Sequence, residues 1–490
     1  MHCKSDNKIV IILILINLLI KGFFLSHNSL NNDEAFSVYH AQMNIFDIIT
    51  QLSKGNNPPL FEILLHAWTK VFGISEFSVR MPSLIFSSIS VFYIFKLAFK
   101  YLNKRIAIYA SIIFIFSNYH IMLAHEARTY TLLGMFSIMS MYYFIEIINK
   151  HISPSTQDRK KHNMQLTLLL IINSLIIYTH YFGFFILILQ LIFLAYKKDV
   201  FLKYWRGILI AIGIVFFLYT PNIMVLTNRF MDSATNGTWV DTPKGFESLY
   251  EMLRSFSNAP VLTVFLICFF LAALIKYIRN LKPHSPNPYY RFIIFWFVFI
   301  FFFMFISSYA IPMFIDRYLM PAAIAFPLVI AISTEYLIQG KKSKYIIPII
   351  VCLLFIITSK PNITNNRNVE EVVNTVNATQ KENTLILICP QDFILNFTYY
   401  YNLDVFKNHT TDNIYSHIQN KLQSSNIYGT NNIKEIDFKN WSHILFVDAA
   451  ANFSYPNNNI KRELDIYYTL KSEHQIPAIF NISEYTIPLN

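Results

Sequence analysis

Long apolar runs alternate with short basic segments from the N-terminus to Ser359, and the pattern stops at Lys360. A helix needs about 20 residues to cross the hydrocarbon of a bilayer. Eleven runs meet or approach that length: 9–27, 80–99, 106–123, 131–148, 164–180, 182–196, 206–225, 259–277, 291–309, 317–337 and 344–359. The tightest pair flanks Thr179-His180-Tyr181, which leaves almost no loop. The pattern predicts a multi-pass α-helical membrane protein with about 11 transmembrane helices.

Two intervening stretches are too long for simple hairpins. In the first, 34–52 and 60–71 read as outer loop helices, each too polar or too short to span. Phe61, Leu64, Leu65 and Trp68 form an i, i+3, i+4, i+7 stripe on the second, suited to the membrane surface or to a helix bundle. Asn57-Pro58-Pro59 breaks the chain before it. The second stretch covers 226–257 and holds Trp239 and Asp241. Beyond Lys360, Leu385–Cys389 and His443–Val447 have strand length, and 367–379 and 456–466 read as helices. The expected division is therefore 1–359, a transmembrane domain, and 360–490, a soluble α/β domain.

Basic residues orient the spans. Lys100, Lys104 and Arg105 share one loop; Lys150, Arg159, Lys160 and Lys161 the next but one. Lys197, Lys198, Lys203 and Arg206 follow, then Lys276, Arg279 and Lys282, then Lys341, Lys342 and Lys344. The alternate loops are poor in Lys and Arg, so the basic set faces the cytoplasm. With the N-terminus inside and an odd number of spans, the C-terminal domain is extracytoplasmic. The first run lacks a small-residue cleavage pattern and reads as a retained helix rather than a signal peptide.

Composition agrees. The chain is 54% hydrophobic and 14% charged, with net charge +11. A soluble domain carries about 25% charged residues, so lipid replaces water around much of this chain. The positive charge lies in loops, so it describes topology and attraction to membrane lipids, not nucleic-acid binding. The four cysteines are far apart and form no CxxC pair, which indicates neither a disulfide framework nor a zinc finger. Neither GxxxxGK[ST] nor GxGxxG occurs, which argues against an ATP-driven pump.

The chemistry-bearing residues gather at the outer ends of the predicted spans. Asn31-Asn32-Asp33-Glu34 follows the first run. It reads either as a helix cap with Glu34 in the first turn, or as a carboxylate pair acting as base or metal ligand. His125-Glu126-Ala127-Arg128 precedes the fourth run, and reads as an interfacial ion pair or as part of a polar cleft with Asp33. His180 stands between the fifth and sixth runs. Asp316-Arg317-Tyr318 opens the tenth; Arg317 offers a rigid donor fork that suits a phosphate, whether of an ordinary headgroup or of a substrate. Together these residues suit a reaction on a lipid-linked phosphate.

The chain resembles the bacterial membrane glycosyltransferases of the GT-C fold, in the group of protein O-mannosyltransferases and the lipid A aminoarabinose transferase. The resemblance rests on Asn32-Asp33-Glu34-Ala35, on Asn57-Pro58-Pro59-Leu60 through His66, Trp68 and Phe72-Gly73, and on Ser75-Glu76 with Val79-Arg80-Met81-Pro82-Ser83. It continues through His125-Glu126-Ala127-Arg128-Thr129-Tyr130, Tyr178-Thr179-His180-Tyr181-Phe182-Gly183 and Arg317-Tyr318-Leu319-Met320-Pro321. It implies a polyprenyl monophosphate-linked sugar donor and an acceptor hydroxyl on a protein, lipid or surface glycan. It implies Asp33 as catalytic base and Glu126 as a second acidic site. In the mechanism these residues suggest, Glu34 or Glu126 would position Asp33, orient the acceptor or hold a metal, and Arg317, with Arg128 or His180, would stabilise the leaving phosphate, with Tyr318, His125 and His66 as further candidate contacts to substrate or lipid phosphate. Several members bind a divalent metal ion, but the residues of this chain define no complete ligand set. Direct displacement would invert the sugar. The competing class is a transporter or flippase for lipid-linked sugars, which would place polar groups at mid-depth rather than at one interface.

Overall fold

The computed structural model describes residues 2–53, 57–150, 156–279, 287–337, 343–411, 413–454, 459–477 and 479–487. The expected loop cations Lys282, Lys341 and Lys342 lie outside the described residues. The chain forms two units. The first comprises Met1–Phe24, Leu52–Phe61 and Arg80–Ile363; the second comprises Leu25–Gln51, Glu62–Val79 and Thr364–Asn490.

The first unit is helical and multi-pass. Among the described residues, six helices are long and apolar enough to cross a membrane: Glu76–Tyr101, Tyr130–Asn149, Lys160–Thr179, Lys198–Asn236, Pro260–Arg279 and Pro288–Ser307. Two bent pairs raise the number to eight if each is one span. Four of the expected eleven runs depart from single long helices. The runs 106–123 and 317–337 are broken, and 182–196 and 344–359 form the shorter helices Tyr181–Tyr196 and Lys344–Thr358. The first run lies largely within His2–Gly22.

Both breaks have identifiable causes. Lys104–Ile115 and Asn118–Ala124 meet at 60°. The Asn258 side chain reaches into this break, accepting from the Asn118 backbone N–H at 2.6 Å and donating to the Phe116 carbonyl at 2.8 Å. Backbone groups released inside a membrane protein need such replacement partners. Asp316–Ala323 and Phe326–Leu337 meet at 49°. Pro327 has no N–H to give the carbonyl four residues earlier; the His120 ring bonds that Ala323 carbonyl instead. The Trp296 indole donates to the Pro321 carbonyl at 2.7 Å.

Helix ends that alternate along the chain join one another. At one end Lys100 pairs with Glu146, Arg105 with Glu335, and Lys276 donates to the carbonyls of Tyr336 and Leu337. At the other, Tyr119 donates to the Asp316 carbonyl, Thr129 to the Thr179 carbonyl, and Asn118 to the Thr358 carbonyl. The basic segments therefore share one end of the bundle, and the polar motifs around Glu126, His180 and Arg317 share the other.

The second unit contains a five-stranded mixed sheet: β1 (Thr384–Cys389), β2 (Ile427–Gly429), β3 (His443–Ala449), β4 (Thr469–Ile476) and β5 (Phe480–Thr486), in the order β2-β1-β3-β5-β4. The β1 pairings are parallel and the β5 pairings antiparallel. β1 is buried on both faces, as a central parallel strand demands. Leu385, Leu387, Ile444, Phe446, Leu464 and Tyr485 form its core on one side. The two apolar runs read from sequence are β1 and β3, and the expected C-terminal helices are Val369–Thr379 and Ile460–Tyr467. The stretch expected as one helix over 34–52 is two, Asn32–His40 and Ile45–Leu52. In the same unit Ser37 donates to Glu62 at 2.8 Å, joining Asn32–His40 to Leu60–Phe72.

Candidate active site

Asp33 stands in the first turn of Asn32–His40 and is exposed. Its neighbour Glu34 is fully buried and completes a capping box: Asn31 accepts from the Glu34 N–H at 2.9 Å, and Glu34 accepts from the Asn31 N–H at 3.0 Å. The adjacent carboxylates are thereby divided. Glu34 holds the helix start, and Asp33 is exposed on the turn that the box braces.

A second carboxylate approaches this turn. Asp392 accepts from the Asn32 amide at 3.4 Å, and Asn396 donates to the Leu30 carbonyl and the Asn32 side chain. Burial pushes the Asp392 carboxyl up, and the charge of Asp33 pushes it further, against hydrogen bonds from its own backbone and Asn32. Asp392 had no local signal in the sequence. Two carboxylates are too few for a structural metal cage, and no group of three or more His, Cys, Asp or Glu gathers to hold a metal among the described residues.

His66 also belongs to the second unit. Its Nδ1 bonds the Ala41 carbonyl at 2.8 Å. A carbonyl can only accept, so that nitrogen carries the proton.

The other expected residues belong to the first unit. The His125-to-Arg128 segment caps Asn118–Ala124 and is held from three sides. His125 Nε2 donates to the Lys21 carbonyl at 2.7 Å, Ser83 Oγ donates to the Glu126 carbonyl at 2.6 Å, and Thr129 is held through Thr179. Glu126 is half-buried, whereas His125 and Arg128 are buried. Arg128 lies within electrostatic reach of His180.

His180 turns the chain between two helices. Its Nδ1 accepts from the Phe182 N–H at 3.2 Å, so the proton of the neutral ring sits on Nε2. Its ring lies 5.4 Å from Tyr318 and 5.0 Å from Phe182. Burial first, and Arg128 second, push the imidazole down to about 3. His180 is therefore neutral at physiological pH and can donate a hydrogen bond without adding charge. Gly183 permits this turn: a Cβ there would lie 2.6 Å from the Ile176 carbonyl oxygen.

Arg317 lies in the short helix Asp316–Leu319, its guanidinium 5.6 Å from the Trp239 ring centre. Trp239 is 60% exposed, and its loop is held by a 2.6 Å bond from Thr238 to the Pro312 carbonyl. Tyr119 senses the charges of Asp316, Glu126 and Arg317, so the first unit brings Glu126 and Arg317 into one electrostatic neighbourhood. Trp239 was visible as an outer-loop aromatic, but its link to Arg317 was not.

Residues 56–225 match the family described as dolichyl-phosphate-mannose-protein mannosyltransferase. That stretch resembles the GT-C glycosyltransferases of this family. The chain is similar in fold to apo ArnT from Cupriavidus metallidurans, with a TM-score of 0.64 at 9% identity over 98% of each chain. The same protein bound to undecaprenyl phosphate gives 0.59 at 9% identity over 97% of each. The Archaeoglobus fulgidus oligosaccharyltransferase, in complex with Zn and sulfate, gives 0.53 at 10% identity, covering 98% of this chain and 74% of that one. No curated protein matches by sequence.

Proposed function

We propose that this glycosyltransferase moves a sugar from a polyprenyl monophosphate to an acceptor hydroxyl at the extracytoplasmic face, with inversion at the anomeric carbon. The observation that carries the reading is the match over residues 56–225, together with the gathering of Glu126, Arg128, His180 and Arg317 at the bundle end opposite the basic segments. Basic loops favour the cytoplasm, which supports an outer location for the reacting groups. His2–Gly22, Tyr181–Tyr196 and Lys344–Thr358 would add to the six long helices and two bent pairs to make eleven membrane segments.

The acceptor oxygen attacks the anomeric carbon as the bond from that carbon to the phosphate oxygen breaks. Asp33 takes the acceptor proton, and polyprenyl phosphate leaves as an anion. Arg317 stabilises the charge developing on that phosphate, with Arg128 as a further cation and the neutral His180 as a donor. Glu126 orients the acceptor. A 440 Å³ cavity in the first unit, lined by apolar side chains including Phe144, Leu169, Leu194 and Tyr219, has the character of a hydrocarbon site. It is proposed for part of the donor tail, in keeping with the undecaprenyl phosphate bound by the C. metallidurans ArnT.

Cells with and without the gene should differ in one surface sugar modification, and the matching polyprenyl phosphate sugar should accumulate where the gene is missing. An unchanged set of lipid-linked sugars and surface glycans would contradict the reading.

A further inference from the structure

The second unit contains a pocket of 620 Å³, within the range of about 300–1,000 Å³ usual for small-molecule sites. The helix Leu60–Phe72 and the loop after it form one wall, the segment at Ala41 another, and Tyr399 to Lys407 a third. Two lysines line it, Lys70 and Lys407, and no carboxylate does. Each closes a helix, which accounts for one favourable dipole contact apiece. It does not account for both charges lining one concavity, where like charges repel. Neither lysine makes an ion pair among the described residues.

The remaining wall suits a sugar. Phe72 is 57% exposed and is backed by Trp68, with ring centres 4.2 Å apart, so it presents a fixed aromatic platform. Thr69 and Tyr399 hydroxyls donate to the His66 and Ile74 carbonyls at 3.2 and 2.8 Å, which fixes these polar side chains in the pocket wall. The His66 ring is fixed by its bond to Ala41.

We propose that this pocket binds an anionic saccharide, one or two rings bearing a phosphate or carboxylate, with the charge on Lys70 and Lys407 and a ring face on Phe72. This rests on the glycosyltransferase reading and deepens it by naming the acceptor as an acidic sugar.

The test is saturation-transfer NMR on the full chain in nanodiscs, with glucose 6-phosphate, glucuronate and glucose as probes. Both anionic probes should bind, more weakly at high salt, and glucose should bind about tenfold more weakly. Lys70→Gln and Lys407→Gln should each weaken the anionic probes about tenfold, the loss expected for a charge-assisted hydrogen bond. Preference for the phosphate or the carboxylate probe would identify the charged group. Glucose binding as tightly as the anions, glucose 6-phosphate binding unchanged in the double variant, or no binding by any probe would overturn the proposal. Donor turnover is followed in parallel. Failure of binding with sugar release intact removes the pocket alone; loss of all donor turnover with binding intact removes the catalytic reading alone.

Discussion

At the residue scale, the sequence left Asn31-Asn32-Asp33-Glu34 open as a helix cap with Glu34 in the first turn or as a carboxylate pair serving as base or metal ligand. Backbone geometry separates them: Asn31 is the cap, Glu34 its reciprocal partner, and Asp33 the exposed carboxylate. Replacing Glu34 with Ala should lower stability by about 1 kcal/mol through loss of the cap, read as a lower unfolding midpoint. Asp392 was illegible because its link to Asp33 is made by the folded chain, through a helix far along the sequence. Trp239 lies 5.6 Å from the Arg317 guanidinium and, in the proposed mechanism, would position it. Its replacement by Ala should raise the KM for the lipid donor about fivefold, from loss of a cation–π contact of about 1 kcal/mol. The turnover number should change less. An unchanged KM would separate Trp239 from donor binding.

At the element scale, the apolar runs were legible because a membrane helix is defined by its own length and composition. Their breaks were not, because each depends on a partner elsewhere. Asn258 supplies both bonds that the kink at Phe116 needs, and nothing near Phe116 announces it. Asn258→Ala should therefore destabilise the first unit by about 2 kcal/mol, since it strands a buried donor and a buried acceptor; thermal unfolding in detergent reads this. In the sheet, β1 and β3 announced themselves as apolar runs, while the exposed, charged β4 was hidden by its polar sequence. Glu484 on β5 makes the sheet acid-sensitive. Burial alone would raise its carboxyl, but hydrogen bonds from His443, Lys381, Ser472 and Lys471 outweigh burial and hold it well below the carboxylate range. The folded-state value lies below the unfolded value of about 4.3. Its stabilisation is therefore complete above that pH and declines as pH falls further. Unfolding midpoints should drop below about pH 4, and Glu484→Gln, which costs about 3 kcal/mol at neutral pH, should flatten that drop. Thr384, His443 and Glu484 form a hydrogen-bonded chain of 2.7 and 2.9 Å that resembles a nucleophilic triad. All three are buried, so the chain staples β1, β3 and β5 together.

At the scale of the whole molecule, the change of composition at Lys360 marks the end of the membrane helices. The compact units do not follow it along the chain, because Leu25–Gln51 and Glu62–Val79 join the C-terminal region in the second unit. No composition change marks those segments, since their attachment is made by single bonds such as Leu30 N–H to Tyr400 and Tyr399 to the Ile74 carbonyl. Asp33 thus belongs to the second unit, and Glu126 and Arg317 to the first. The central claim is that Asp33 removes the acceptor proton during transfer from a lipid-linked sugar. Its most direct test is release of undecaprenyl phosphate, measured by mass spectrometry, from undecaprenyl-phosphate-linked sugars mixed with cell-envelope extract and the purified chain in liposomes. The wild-type chain should release it, and a folded Asp33→Asn variant should be slower by about a thousandfold, within the range typical of a lost general base. Equal release by the two would contradict the account.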